Sequence, residues 1–378
     1  MDRKDTSENK TVTIDKGFKT LFSELEKRHI EIRKRVNSFT EKGDELKKRL
    51  SEEIEIFDAW RFYKMDRLGE ITSNFDVEQK KAHQKFIQGT KYYKIVQEAP
   101  FYWRIINKPN GYAGDAEMMS FIYRNQFEGK TPFGMFLHKH AVTTKACQAV
   151  NNRKKYLTEQ ILKTNRGRIL SLAAGPAQEI RDIIDKKKEN TFQFLALDHD
   201  LDTLQRFNIP DKSPQFTYAL VNAFQLIAGK YSVAKPRHFL EKYCYPRRDF
   251  VGLRKIFSSL KYKVIELQKE KFDLIYSAGL FDYIETFPLD NSKGTVALTK
   301  NLFNIVKPGG SLIIGNFNHS NPRDLRFVME YIYDWQLIYR DKLDMLEFAK
   351  TINENDIKDI QIVEEPTGIN YFLKIDKN

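Results

Sequence analysis

The sequence predicts an α/β protein in which a doubly wound, mostly parallel sheet with an antiparallel last strand follows a helical N-terminal region. Two observations carry this. From Gly167 onward, short apolar runs alternate with stretches of helical spacing, the pattern of parallel strands joined by crossover helices. Before Gly167, apolar residues recur mostly at steps of three, four and seven between charged ones, without strand-like alternation. The expected division is a helical domain over residues 1–150 and a sheet domain over 151–378, with a basic insertion at about 228–266.

The helical part begins with Phe18, Leu21, Phe22, Leu25, Ile32, Val36, Phe39, Leu46, Leu50, Ile54 and Phe57, an amphipathic helix or hairpin interrupted at Gly43. Its apolar stripe packs on the helices that follow or joins two copies as a homodimer. Asn110-Gly111 and Ala113-Gly114 form a tight loop. Asp115 then either caps the next helix or serves chemistry together with Tyr112.

The sheet starts at Ile169–Leu172, which breaks at Ala173-Ala174-Gly175-Pro176-Ala177 and passes into a helix. Small residues let a ligand approach the backbone, and the helix start presents free N–H groups to it. The full G-x-G-x-x-G pattern is missing, so the turn alone is a weak signal. The second strand, Phe192–Leu197, ends at Asp198, an acid placed to accept hydrogen bonds from ribose hydroxyls. The third, Gln215–Val221, ends at Asn222-Ala223, an amide and an apolar surface suited to an adenine. A fourth, Phe272–Tyr276, leads to Ser277-Ala278, and Lys307-Pro-Gly-Gly310 makes a tight turn into Ser311–Gly315. A closing hairpin spans Ile360–Glu365 and Ile369–Ile375.

This order of motifs, ending in the Lys-Pro-Gly-Gly turn, resembles the class I S-adenosylmethionine-dependent methyltransferases and their Rossmann-like sheet over about residues 168–375. A dehydrogenase shares the turn and the acid but fits the Lys-Pro-Gly-Gly turn less well. The resemblance implies S-adenosyl-L-methionine as cofactor. Its methionine part would lie beside Ala173, Ala174, Gly175, Pro176, Ser277 and Ala278, its ribose on Asp198, and its adenine between Asn222 and Ala223.

Gly111–Met119, Ile275–Tyr283 and Met329–Arg340 resemble, more narrowly, bacterial methyltransferases described as biosynthesis proteins for 3-hydroxypalmitic acid methyl ester. That implies a small-molecule acceptor, such as a fatty-acyl carboxylate. Candidate catalytic residues are Tyr112, Asp115, Tyr283 and His319, and candidate substrate contacts are Tyr112, Asn316, Arg323 and Tyr331. Glu117 is another proton acceptor and Arg340 another counter-charge.

Between residues 230 and 263, ten Lys/Arg face two Asp/Glu, so eight of the +12 formal charge fall in one stretch. That leaves nucleic-acid methylation as the first alternative. A cofactor-binding regulatory or interaction protein is the second. The strand end Ser277-Ala-Gly-Leu-Phe-Asp282 lacks the Asn/Asp-Pro-Pro-Tyr/Phe run of enzymes that methylate exocyclic amines. Two cysteines, Cys147 and Cys244, read as reduced thiols, with one disulfide the alternative, and His138 and His140 lack a third metal ligand. No apolar signal region or membrane-length run is present, so a cytoplasmic protein without a membrane span is expected.

Overall fold

The computed structural model describes residues 12–186, 192–207, 215–236 and 262–378. The chain forms two compact units. The first comprises Met1–Ala113, Asn125–Thr144 and Asn321–Gln336, and the second Gly114–Arg124, Lys145–Ser320 and Leu337–Asn378. The fold units therefore interleave along the chain. No helix among the described residues is long and apolar enough to cross a membrane.

The first unit is helical. Asp15 caps helix Lys16–Val36 by accepting from the Phe18 N–H, and Phe18, Phe22, Leu25, His29, Ile32 and Val36 form its buried stripe. The chain breaks at 37–42, and helix Gly43–Thr72 starts at Gly43, whose φ of 59° is left-handed. Gly69 in this helix meets the Arg323 carbonyl so closely that a Cβ would stand 2.5 Å from its oxygen. Arg61 is buried, donates to the Tyr102 hydroxyl at 2.7 Å, and lies in an aromatic pocket where the Tyr102 and Tyr333 rings meet edge to face. The expected helix from Arg323 to Arg340 is shorter. It ends in a wide turn over Val328–Ile332, and Asp334 closes it at φ 47°.

Among the described residues, the second unit holds a nine-stranded mixed sheet of Rossmann-like topology. Its strands are β1 (Gly167–Leu172), β2 (Phe192–Asp198), β3 (Phe216–Leu220), β4 (Ser232–Pro236), β5 (Tyr262–Glu266), β6 (Phe272–Ser277), β7 (Val306–Phe317), β8 (Ile357–Glu364) and β9 (Asn370–Lys377). They lie in the order β5-β4-β3-β2-β1-β6-β7-β9-β8. The central five, β3, β2, β1, β6 and β7, are parallel, and β9 enters antiparallel between β7 and β8. Alternating side chains feed two cores. Ile169, Phe194, Tyr218 and Ile313 pack under helices Lys145–Lys163 and Gln178–Lys186. Leu170, Leu197, Val221 and Leu312 pack under helix Gly294–Asn304.

Two features of the sheet differ from the sequence expectation. The described ends of the basic insertion form the antiparallel pair β4–β5, which extends the sheet beyond β3, so the last strand is not the only antiparallel one. Residues 237–261, which include Cys244 and most of the basic stretch, lie outside the described residues. Lys307–Gly310 is not a turn before a strand but part of β7 itself, with Gly309 at φ 75° and a register shift against β6. A Cβ on Gly310 would stand 2.8 Å from the Asp273 carbonyl oxygen, so glycine lets the two strands approach there.

His29 gives the helical unit a pH dependence. It is packed against the Phe57 and Tyr92 rings, its Nδ1 bonds the Leu25 carbonyl, and burial pushes its pKa down to about 3. The unfolded chain takes up this proton first, so the contribution is complete above pH 6.5 and falls from there toward pH 3. The slope is about 1.4 kcal/mol per pH unit. Denaturant unfolding at pH 7 and pH 5 should cost the native chain roughly 2 kcal/mol more than His29→Leu. Equal losses would remove His29 from the account.

Candidate functional site

The carboxyl ends of the parallel strands meet the sheet's switch point between β1 and β6, where open α/β sheets bind ligands. The turn after β1 is strained. Ala173, Gly175 and Ala177 all have left-handed φ, at 54°, 53° and 47°. Each alanine held there costs about 1–2 kcal/mol, so the surroundings must impose the shape. They do so through four hydrogen bonds. Ala174 N–H donates to the Leu197 carbonyl, Ala177 N–H to the Ala174 carbonyl, and the Tyr218 hydroxyl to the Gly175 carbonyl. The fourth comes from Asp198, whose Oδ2 accepts from Gly175 N–H at 2.9 Å.

Asp198 is 5% exposed, and its Oδ1 also accepts from Asp200 N–H. A carboxylate offers about four lone-pair positions, so two bonds to the backbone and the His199 ring nitrogen 3.4 Å from Oδ1 leave acceptor capacity on Oδ2 for a ligand hydroxyl. The neighbouring His199 has its pKa raised by the hydrogen bond to this carboxylate.

A cavity of about 370 Å³ opens beside it, lined by His199, Leu220, Val221, Asn222, Gln225, Ser232, Val233, Ala234 and Val264. That volume suits a small-molecule subsite. Asn222 caps helix Ala223–Ile227 through its side-chain oxygen, which accepts from Phe224 N–H. The unexpected contribution is from β4 and β5, which supply one wall.

Further along the strand ends lies a buried polar cluster. Arg153, 7% exposed on helix Lys145–Lys163, donates from Nη1 to the Ala278 carbonyl at 2.9 Å. Burial raises the pKa of Glu179, which accepts from the Tyr276 hydroxyl at 2.6 Å. Burial also raises the Tyr123 hydroxyl to about 12, against the pull of the Arg153 guanidinium. Asp282, 2% exposed, accepts from Phe317 N–H at 2.7 Å, and burial pushes its carboxyl up to about 7. Ser277 Oγ is buried and has no hydrogen-bond partner among the described residues.

The predicted residues have several fates. Ala173, Ala174, Gly175, Pro176, Asp198, Asn222, Ala223, Ser277 and Ala278 all fall at the ends of β1, β2, β3 and β6. Tyr283 and His319 follow β6 and β7, and both are exposed. Asn316 is fully buried: its Nδ2 donates to the Phe317 and Ile338 carbonyls and its Oδ1 accepts from Arg340. Asp115 is buried and caps helix Ala116–Arg124 by accepting from Met118 N–H. Glu117 is held by Arg124 and Arg206. Tyr112, Arg323 and Tyr331 belong to the helical unit, where Arg323 pairs with Asp66 and the Tyr331 hydroxyl faces the Thr72 carbonyl. His138 and His140 take separate partners, the Phe101 N–H and Asp58.

Sequence reasoning passed over Glu179 and Asp282 as site residues, and it reads Arg153 in Asn151–Tyr156 as a solvated basic turn, with contact to an anionic group the alternative. The Gln178-Glu179 pair at the helix start was the available signal for Glu179. The local basic run does not reveal that Arg153 is buried on the Ala278 carbonyl, because that partner is 125 positions away.

No protein-family model and no curated protein matches the chain. Among solved structures, a protein of Bordetella parapertussis described as a possible exported protein is 14% identical. It covers 84% of this chain and 96% of its own, with a TM-score of 0.47. The N-methyltransferase NodS from Bradyrhizobium japonicum is 10% identical, covering 60% and 95%, at a TM-score of 0.34. A Thermotoga maritima S-adenosylmethionine-dependent methyltransferase, described as a possible histamine N-methyltransferase, is 12% identical. It covers 60% and 91%, at a TM-score of 0.35. These overlaps are loose, and the fold assignment rests on strand order and register.

Proposed function

We propose that this chain is an S-adenosylmethionine-dependent methyltransferase acting on a small molecule. The observation that carries the proposal is one juxtaposition at the ends of β1, β2 and β3. A strained small-residue turn is braced by a buried carboxylate, which retains acceptor capacity beside a cavity of about 370 Å³. The placement of antiparallel β9 between β7 and β8 supports the same reading.

In this reading Asp198 takes the ribose hydroxyls, while His199, Val221, Asn222 and Ala223 flank the adenine. The turn Ala173–Pro176, with Ser277 and Ala278, borders the methionine part, and the orphaned Ser277 Oγ gives a ligand group something to satisfy. Arg153 fits beside it as a cation fixed by the Ala278 carbonyl. When bound, the cofactor supplies an electrophilic methyl group on a sulfonium. The residues then have to align acceptor and methyl and exclude water. A fatty-acyl carboxylate, the acceptor that the narrower sequence resemblance implies, is one small molecule of the proposed class, and Tyr283 and His319 are candidates to meet the acceptor.

Two measurements test this. Asp198→Ala removes the turn's brace and the ribose contact together. It should weaken S-adenosylmethionine binding at least about tenfold by calorimetry, a loss of about 1.4 kcal/mol, with the thermal transition still cooperative. Unchanged affinity would contradict the assignment. Incubation with methyl-labelled S-adenosylmethionine and a small-molecule extract should place label in that fraction by mass spectrometry. Label found only in added nucleic acid would contradict the small-molecule reading.

A further inference from the structure

Helix Gly43–Thr72 has two apolar sides. One, with Leu50, Phe57, Met65 and Leu68, is buried in the helical unit. The stripe that begins at Phe18 on the preceding helix is buried too, so neither is available to join two copies of the chain. The second side is open. Ile56 is 68% exposed and Tyr63 56%, and between them lie the exposed Ala59 and the half-buried Trp60. These four are spaced by three, four or seven positions, so they share one side of the helix. A contiguous exposed apolar group of this kind marks a surface that meets a partner.

Charges continue the same side. Arg49 and Glu52 precede the apolar centre, and Arg67 and Glu70 follow it, again at steps of three and four. Turning a second copy end over end about a point between Ala59 and Trp60 sets Ala59 against Trp60 and Ile56 against Tyr63. The same operation sets Glu52 against Arg67 and Arg49 against Glu70. Small meets large at the centre, apolar meets apolar beside it, and each flanking charge meets its opposite. A parallel pairing in register would instead set Arg49 on Arg49 and Glu52 on Glu52, like charges throughout. This side of the helix is complementary to its own reverse.

Existing contacts leave room for that pairing. Arg49 pairs with Glu41 and Arg67 with Glu70, both as exposed pairs of little strength. A guanidinium carries five N–H donors and takes a second carboxylate readily. Glu52 makes no ion pair among the described residues.

We infer that this side of helix Gly43–Thr72 is a docking surface for a second copy of the chain, met antiparallel across a two-fold axis between Ala59 and Trp60. Such an interface is isologous, so every contact occurs twice. From Arg49 to Glu70 the helix runs about 32 Å, and one helix pair of that length makes an interface at the small end for specific complexes. The dimer is therefore weak, with dissociation in the micromolar range. Burial of Ile56, Trp60 and Tyr63 supplies the affinity. The exposed ion pairs add little each and fix register and direction. The pairing is independent of the reaction that the chain performs.

Sedimentation velocity of the full chain between about 1 and 200 µM should reveal a monomer–dimer equilibrium. Ile56→Asp should weaken it at least about tenfold. Glu52→Arg alone and Arg67→Glu alone should each weaken it about fivefold, because each sets like charges face to face twice. Both reversals together exchange the partners, and the dissociation constant should return to within about twofold of the native value. Glu52 and Arg67 are exposed, so helicity by circular dichroism should be native in all three charge variants. The charge series decides the question even where Ile56→Asp disturbs folding.

A chain that stays monomeric at about 200 µM would overturn the inference. So would a dimer indifferent to a well-folded Ile56→Asp, or charge reversals whose effects add where they should cancel. The methyltransferase reading would stand in each case.

Discussion

The Asp198 carboxylate ties the end of β2 to the turn after β1, accepting one backbone proton from Gly175 and another from Asp200. Three left-handed residues within five positions do not hold together unaided, particularly when two are alanines. The brace is itself buried, and desolvating a carboxylate is tolerable because those two amides and the His199 ring nitrogen satisfy it. One group thus sets the shape of the turn, keeps acceptor capacity for a ligand, and biases the charge of His199 at the cavity wall. Shape and chemistry share one carboxylate.

The other half of the strand-end surface follows a different rule. Arg153, Arg340 and Asp282 are all buried, yet each is satisfied by backbone or neutral partners rather than by an opposite charge. Pairing Asp282 with either guanidinium would lower its pKa and spend its second oxygen. Holding the arginines on carbonyls avoids that, and the carboxyl stays poised near neutrality. The arrangement gives up ion-pair energy, which for buried pairs is uncertain in sign anyway, and keeps both guanidiniums on backbone carbonyls.

Most of the sheet was legible because each central strand is a continuous apolar run between turn signals, as buried parallel strands must be. Leu170, Leu197, Ile275 and Leu312 are in the core for that reason. The closing hairpin was legible within a few residues at each end. The β4–β5 pair was not, because Lys235 and Lys263 make its two strands read as solvated insertion rather than sheet edge. Lys307–Gly310 misled for a related reason: Pro and Gly signal a turn, but here they form an irregularity inside β7.

The interleaving of the two units was also illegible. Helical periodicity assigns the stretch from Ala116 onward and Arg323–Arg340 to helices without saying which core receives them. Within the site, Asp198 stood out because an acid ending the second strand has a known use, whereas Arg153 and Asp282 acquire meaning only from neighbours distant in the chain.

The most direct measurement is a crystal structure of the chain grown with S-adenosylhomocysteine. The account predicts nucleoside density in the cavity beside His199, Val221 and Asn222, with both ribose hydroxyls on Asp198 and the Gly175–Asp198 hydrogen bond intact. Density on another face of the sheet, or a ribose that bypasses Asp198, would contradict it.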